Sequence, residues 1–175
     1  TSQELAKRLM LDCGIELIYR RHPESKLFSL FAATEGGARA ETKATKGLYN
    51  AISGMLAQAT EMKGHDEFIE AVESRAGDVE GFSGKDSFGF SVDCLAEDWS
   101  YYLNLFAEAL LTPDFPRQQW DTLKRQLLEG IKHQEDSPSS HAIRGFQQLV
   151  FGEHPYGYSS IGDRETIDRL DEKLL

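Results

Sequence analysis

Five histidines, two cysteines and a serine-rich stretch are the residues of this chain whose types could carry metal or nucleophilic chemistry. Their spacing decides against most of it. His22, His65, His133, His141 and His154 show neither HxxxH nor HxxEH spacing, the arrangement that sets two imidazoles on one helix face as metal ligands. His133 stands beside Glu135 and Asp136 at an expected helix end, where a solvated or capping role is the simpler assignment. Cys13 and Cys94 form no CxxC pair, which suggests neither a disulfide framework nor a thiolate metal site. Two free, mostly buried thiols are expected. Asp136 and His141 with Ser137, Ser139 or Ser140 could be drawn as a hydrolytic triad, but no GxSxG elbow is near, and the serines suit a helix cap better.

The elements that would position such residues follow from periodicity. "GIELIYRRHP" and "KLFSLFAATEGG" alternate apolar and polar residues around Pro23, Glu24 and Ser25, which predicts an antiparallel strand pair ended by Gly36-Gly37. Between about Lys43 and Ala59, Leu48, Ile52, Met55 and Leu56 recur at helical spacing, predicting an amphipathic helix. A second helix follows with Phe68, Ile69 and Val72 inward and Gly77 as its stop. Period two returns between about 78 and 95, where Phe88, Phe90 and Val92 share a face and Lys85-Asp86 lies near a turn. Trp99, Leu103, Phe106 and Leu110 then mark a helix broken by "TPDFP". Trp120, Leu123, Leu127, Leu128 and Ile131 mark a longer one reaching about Gln134. Ile143, Phe146, Leu149 and Val150 give another, "GEHPYGYSSIG" is a loop, and Ile167 and Leu170 lie in a last helix. The order ββααββαααα implies an α+β fold, an α/β sandwich in which helices cover an antiparallel or mixed sheet.

Composition bounds the partners. The 175 residues are 40% hydrophobic and 27% charged, as expected of one globular domain spanning 1–175. A net charge of −10 and the lack of a basic stripe argue against nucleic acid. The longest nearly apolar runs, such as "YYLNLFAEALL", are too short and polar to span a bilayer, so no membrane partner is expected. "TSQELAKR" has no signal-peptide pattern. The chain starts without Met, and it is expected to be a piece of a longer one that stops before the last strand or strands of its domain. A targeting signal could lie outside it, which leaves the compartment open between cytoplasm and periplasm.

A run of landmarks in fixed order carries a resemblance: "LDCGIELIYRRHP", "EGGARAE", "GLYNAISGMLAQAT", "LLTPDFP", "LLEGIKHQEDSP" and "HPYG...IG", across about 160 of the 175 residues. Together these resemble one half-domain of the pitrilysin or insulinase-like zinc metallopeptidases, the inverzincins. In active members two helical histidines of HxxEH hold zinc, the Glu between them takes a proton from the metal-bound water, and a later helix brings a third ligand, a Glu. The resemblance sets Asn50 and Gly54 at the histidine positions, Ser53 at the general base and Gly130 at the third ligand. All four groups are lost. Gly130 follows Gly54 by 76 residues, close to the family's own spacing, and a shift of one register would offer only Glu129, a lone carboxylate that cannot retain catalytic zinc.

The resemblance implies a non-catalytic half-domain, with no catalytic or metal-binding residue and no cofactor of its own. It would pair with a zinc-bearing catalytic half, in the same chain or a separate subunit, to form a chamber for peptide hydrolysis. Gly81, Phe82 and Ser83 occupy the place of a family strand to which a peptide substrate adds by main-chain pairing, and an ordinary core strand is the competing assignment. Because the core subunits of respiratory complex III share the fold without a working zinc site, a structural scaffold is the alternative function.

Overall fold

The computed structural model describes residues 6–171. Along the chain come β1 (Lys7–Met10), β2 (Glu16–Tyr19), β3 (Leu27–Glu35), α1 (Leu48–Leu56), α2 (His65–Glu73), β4 (Asp78–Ser83) and β5 (Ser87–Leu95). The helices α3 (Trp99–Leu111), α4 (Arg117–Asp136), α5 (Pro138–Phe151) and α6 (Arg164–Arg169) complete the described order. An antiparallel sheet in the order β3-β5-β4 carries the fold, and β1 and β2 form a separate two-stranded ribbon.

The pairing of the early strands differs from the sequence expectation. The turn at His22–Ser25 forms, with the Ser25 N–H donating to the His22 carbonyl, yet β2 and β3 do not pair across it. β3 pairs with β5 from Leu27 opposite Leu95 to Glu35 opposite Ser87, and β2 pairs with the unforeseen β1. Length decides the partner: nine residues of β3 find nine in β5, whereas β2 offers four. That register also sets Phe28, Leu30 and Ala32 opposite Cys94, Val92 and Phe90, so their apolar side chains share the covered face of the sheet.

Helices cover this one face. A first core joins the sheet to α2 and α3 through Phe68, Val72, Phe90, Val92, Tyr102, Leu105 and Phe106. A second gathers α1, α4 and α6 around Ala51, Met55, Trp120, Leu127, Ile131 and Ile167. Of the four apolar residues that mark α3 in the sequence, only Phe106 is buried. Trp99, Leu103 and Leu110 are exposed, while Tyr102, Leu105, Phe106 and Ala109 are buried. Tyr102 turns the helix because its ring fills the core while its hydroxyl donates to the Val72 carbonyl and accepts the Gly77 N–H, so no polar atom is stranded. Cys94 is buried as expected, but Cys13 is exposed, since it lies in the turn of the uncovered ribbon.

The helix α5 forms as its periodicity predicts, capped by Ser137, whose side chain accepts the Ser140 N–H. Its apolar stripe, however, is left largely uncovered by the described residues. Phe146 is 66% and Leu149 89% exposed, with Ile143 and Val150 exposed beside them. Periodicity reports that a helix has an apolar face, not what covers it. Among the described residues no helix is long and apolar enough to cross a membrane.

Candidate functional site

The start of α1 is fixed by a buried carboxylate that the sequence does not announce. Glu41 is 4% exposed and accepts the Gly47 and Tyr49 N–H groups at 3.0 and 3.1 Å. Those donors belong to the first turn of α1, where backbone N–H groups lack intrahelical partners. Burial raises the Glu41 carboxyl above its ordinary pKa, although these N–H bonds and the nearby Lys85 charge pull the other way. A capping residue is ordinarily sought at the helix boundary, and Glu41 lies six positions before Gly47, where no capping pattern looks. The left-handed φ of +82° at Gly47 turns the chain into the helix. That Gly also lets its backbone touch Gly162 in the loop before α6, where a Cβ would meet the Gly162 Cα at 2.8 Å.

Past this start, α1 presents Asn50, Ser53 and Gly54. Asn50 is half-buried. Ser53 is 1% exposed, and its hydroxyl donates to the Asn50 carbonyl at 3.1 Å, a bond inside the same helix that satisfies the hydroxyl locally. A Cβ on Gly54 would meet the Leu123 Cδ atoms of α4 at 3.0 and 3.2 Å. Gly130 of α4 does not face Gly54; a Cβ there would find only the Ile161 Cδ1 at 4.0 Å. The two glycines are therefore served by separate aliphatic side chains, both partly buried against the α1/α4/α6 core. Helical spacing sets each glycine on a face of its own helix, but the relative rotation of two helices is fixed only by packing. Among the described residues no group of three or more His, Cys, Asp or Glu is placed to hold a metal ion.

The Cβ probes yield an expectation. Gly130→Ala should stabilise the chain by about 0.5 to 1 kcal/mol, because an interior helical glycine costs about that much relative to alanine and the methyl meets no close neighbour. Gly54→Ala gains the same propensity but crowds Leu123, and it should be the less stable of the two by about 1 kcal/mol. Urea melts of both variants measure the difference. Equal stabilisation would mean that Leu123 yields without cost.

Gly81, Phe82 and Ser83 lie together in β4, opposite Phe90, Gly89 and Phe88 of β5. Gly81 and Ser83 point to the helix-covered face, and Gly81 runs directly beneath α1, where a Cβ would stand 1.8 Å from the Ser53 carbonyl oxygen. Phe82 points to the open face. There its ring faces Phe31 at 6.4 Å between centroids. In the sheet order β3-β5-β4 the far side of β4 has no strand partner among the described residues, so its alternate backbone N–H and C=O groups face outward.

This sandwich, with α1 seated on a free-edged strand and against α4, is the architecture to which known proteins can be compared. The family model for insulinase (peptidase family M16) matches residues 19–164. The chain belongs to the insulinase family of peptidases. Similar relatives are named uncharacterized zinc proteases: YmxG of Bacillus subtilis is 23% identical over 163 residues, covering 93% of this chain and 40% of the relative. One from Mycobacterium leprae is 21% identical over 168 residues, covering 96% of this chain and 38% of the relative. Zinc is thus a property of the family. The fold matches the peptidase M16 inactive domain from Pseudomonas fluorescens with a TM-score of 0.88 at 23% identity, over 97% of this chain and 41% of that one. It also matches a protease from Helicobacter pylori with a TM-score of 0.87 at 16% identity, over 98% of this chain and 42% of that one. The insulinase-like α+β fold expected from the landmarks is therefore present, and the chain spans about 40% of the length of the relatives it matches.

Proposed function

We propose that this chain is a non-catalytic insulinase-family domain that pairs with a zinc-bearing half to wall a chamber for peptide hydrolysis. The observation that carries the proposal is what lies over Gly54 of α1 and Gly130 of α4, where the family resemblance sets two zinc ligands: Leu123 covers the first and Ile161 is the nearest neighbour of the second. Aliphatic carbon at those places supplies no donor to a borderline metal that takes nitrogen, sulfur or oxygen. In this reading zinc and the hydrolytic water belong to the partner half, and this chain contributes surface.

Two further features support a surface role. The uncovered stripe Ile143, Phe146, Leu149 and Val150 on α5 is the kind of contiguous apolar face that marks a contact with another protein surface. The free edge of β4 at Gly81, Phe82 and Ser83 offers main-chain groups to an extended peptide, a recognition mode that reads backbone rather than side chains. No observation favours the scaffold alternative.

The experiment is peptide hydrolysis by the intact protein together with its zinc-bearing half. Phe146→Lys combined with Leu149→Lys should lower hydrolysis roughly tenfold or more while leaving the thermal midpoint of this domain in place, since both residues are already exposed. Substrate peptides N-methylated at alternate residues should lose affinity for the wild type. Unchanged hydrolysis in the double variant would refute the pairing surface, and indifference to N-methylation would refute strand addition.

A further inference from the structure

A cleft of about 450 Å³ opens between α5, the loop that follows it and the segment before α1. Its walls include Lys43, Lys46, Arg144, Glu153, Tyr158 and Asp163. Charges in it are paired unevenly. Lys43 bonds Glu153 at 2.5 Å and Lys46 bonds Asp163 at 2.9 Å, so two cations are answered by two carboxylates. Arg144 is the third cation, and its Nη2 is shut off from solvent without a hydrogen-bond partner among the described residues. A buried guanidinium nitrogen left unpaired is costly, and the side chain that carries it belongs to the wall of the cleft.

We propose that this cleft binds the carboxylate group of a peptide, with Arg144 as its anchor. The local charge sets the class of ligand. Once the two lysine pairs are set against each other, one positive charge remains, which a monoanion balances. A phosphate dianion would bring excess charge close to Glu153 and Asp163. The flat fork of a guanidinium matches the two oxygens of a carboxylate, and the cleft has room for the residue that bears it. Lys46 lies 5.2 Å from the centre of the Tyr158 ring, which packs its paired charge into the wall of the cleft. Lys85 donates to the Tyr158 carbonyl at 2.7 Å, which holds that wall in place. The proposal does not depend on the peptidase reading.

Calorimetric titration of the intact protein tests the assignment with three N-acetylated tripeptides. One is tri-alanine with a free C-terminal carboxylate, one is its C-terminal amide, and one is an amide with a central glutamate. The free acid should bind, and the tri-alanine amide should bind about tenfold or more weakly, the loss expected for one charge-assisted bond. Comparison of the free acid with the glutamate peptide distinguishes a chain terminus from an acidic side chain, and binding of either above the neutral amide supports the proposal. Arg144→Gln should abolish the preference for the acid, and Arg144→Lys should keep part of it. Equal affinity for acid and neutral amide, inorganic phosphate binding as tightly as the acid, or an unchanged preference in Arg144→Gln would each overturn it. The acid and amide comparison in the wild type decides the matter even if the variants fold poorly.

Discussion

Gly81→Ala is expected to destabilise the chain by about 3 kcal/mol, the upper range for overpacking a closed core. The added methyl would stand 1.8 Å from the Ser53 carbonyl oxygen and 2.3 Å from its carbon. Both are backbone atoms in the middle of α1, so no side-chain rotation relieves the clash. Either α1 must lift from β4 or the strand must leave β5. Lifting α1 opens both cores at once, because Met55 belongs to one and Leu56 packs against the other. A shift of the urea midpoint with an unchanged slope would report the loss. Wild-type stability in Gly81→Ala would show that α1 does not rest on the strand as described.

Glu41→Ala carries the second large effect, a loss of about 2 kcal/mol. The substitution leaves the Gly47 and Tyr49 N–H groups without their acceptor in a place closed to water, and buried donors stripped of partners cost about 1 to 3 kcal/mol. Glu41→Gln separates capping from charge. An amide oxygen still accepts one N–H, so most of the stability should return. The charge adds a pH dependence of known sign. Burial makes the folded state hold the Glu41 proton more tightly than the unfolded chain does, so the stability linked to that proton is full below the ordinary carboxylate pKa of 4.5. It is lost as pH rises through the raised folded value. Glu41→Gln should remove that decline, and thermal melts across mildly acidic pH measure it. A wild-type slope retained in Glu41→Gln would assign the titration to another group.

What the sequence conveys and what it withholds divide along the range of the interactions. Alternation in "SFGFSV" announces β5, whose Phe90 and Val92 are buried, because the pleat sorts neighbours onto opposite faces within one strand. The pairing of β3 depends on a strand more than fifty residues away, and the nearby turn at His22–Ser25 points to the wrong partner. Trp99, Leu103, Phe106 and Leu110 mark α3 as a helix, but the face it buries depends on Tyr102, whose hydroxyl finds Val72 and Gly77 only in the folded chain. Helical spacing sets Gly54 and Gly130 on faces of their helices, but only the packed structure tells that Leu123 meets the first and Ile161 the second. Glu41 leaves no local trace, since a loop can bring a carboxylate to a helix start from any distance.

The contact between Gly47 and Gly162 has a kinetic consequence. Around it, Lys46 bonds Asp163 and the Thr166 hydroxyl donates to the Lys46 carbonyl, across separations of 117 and 120 positions. Local helix turns close within microseconds, whereas a loop of this size must give up its chain entropy before any of these bonds can form. The bonds that brace Lys46 and Gly47 thus wait for α6 to arrive, even though Glu41 caps the first turn of α1 from nearby. A growing chain would carry α1 without this brace until α6 has been made, more than a hundred residues later.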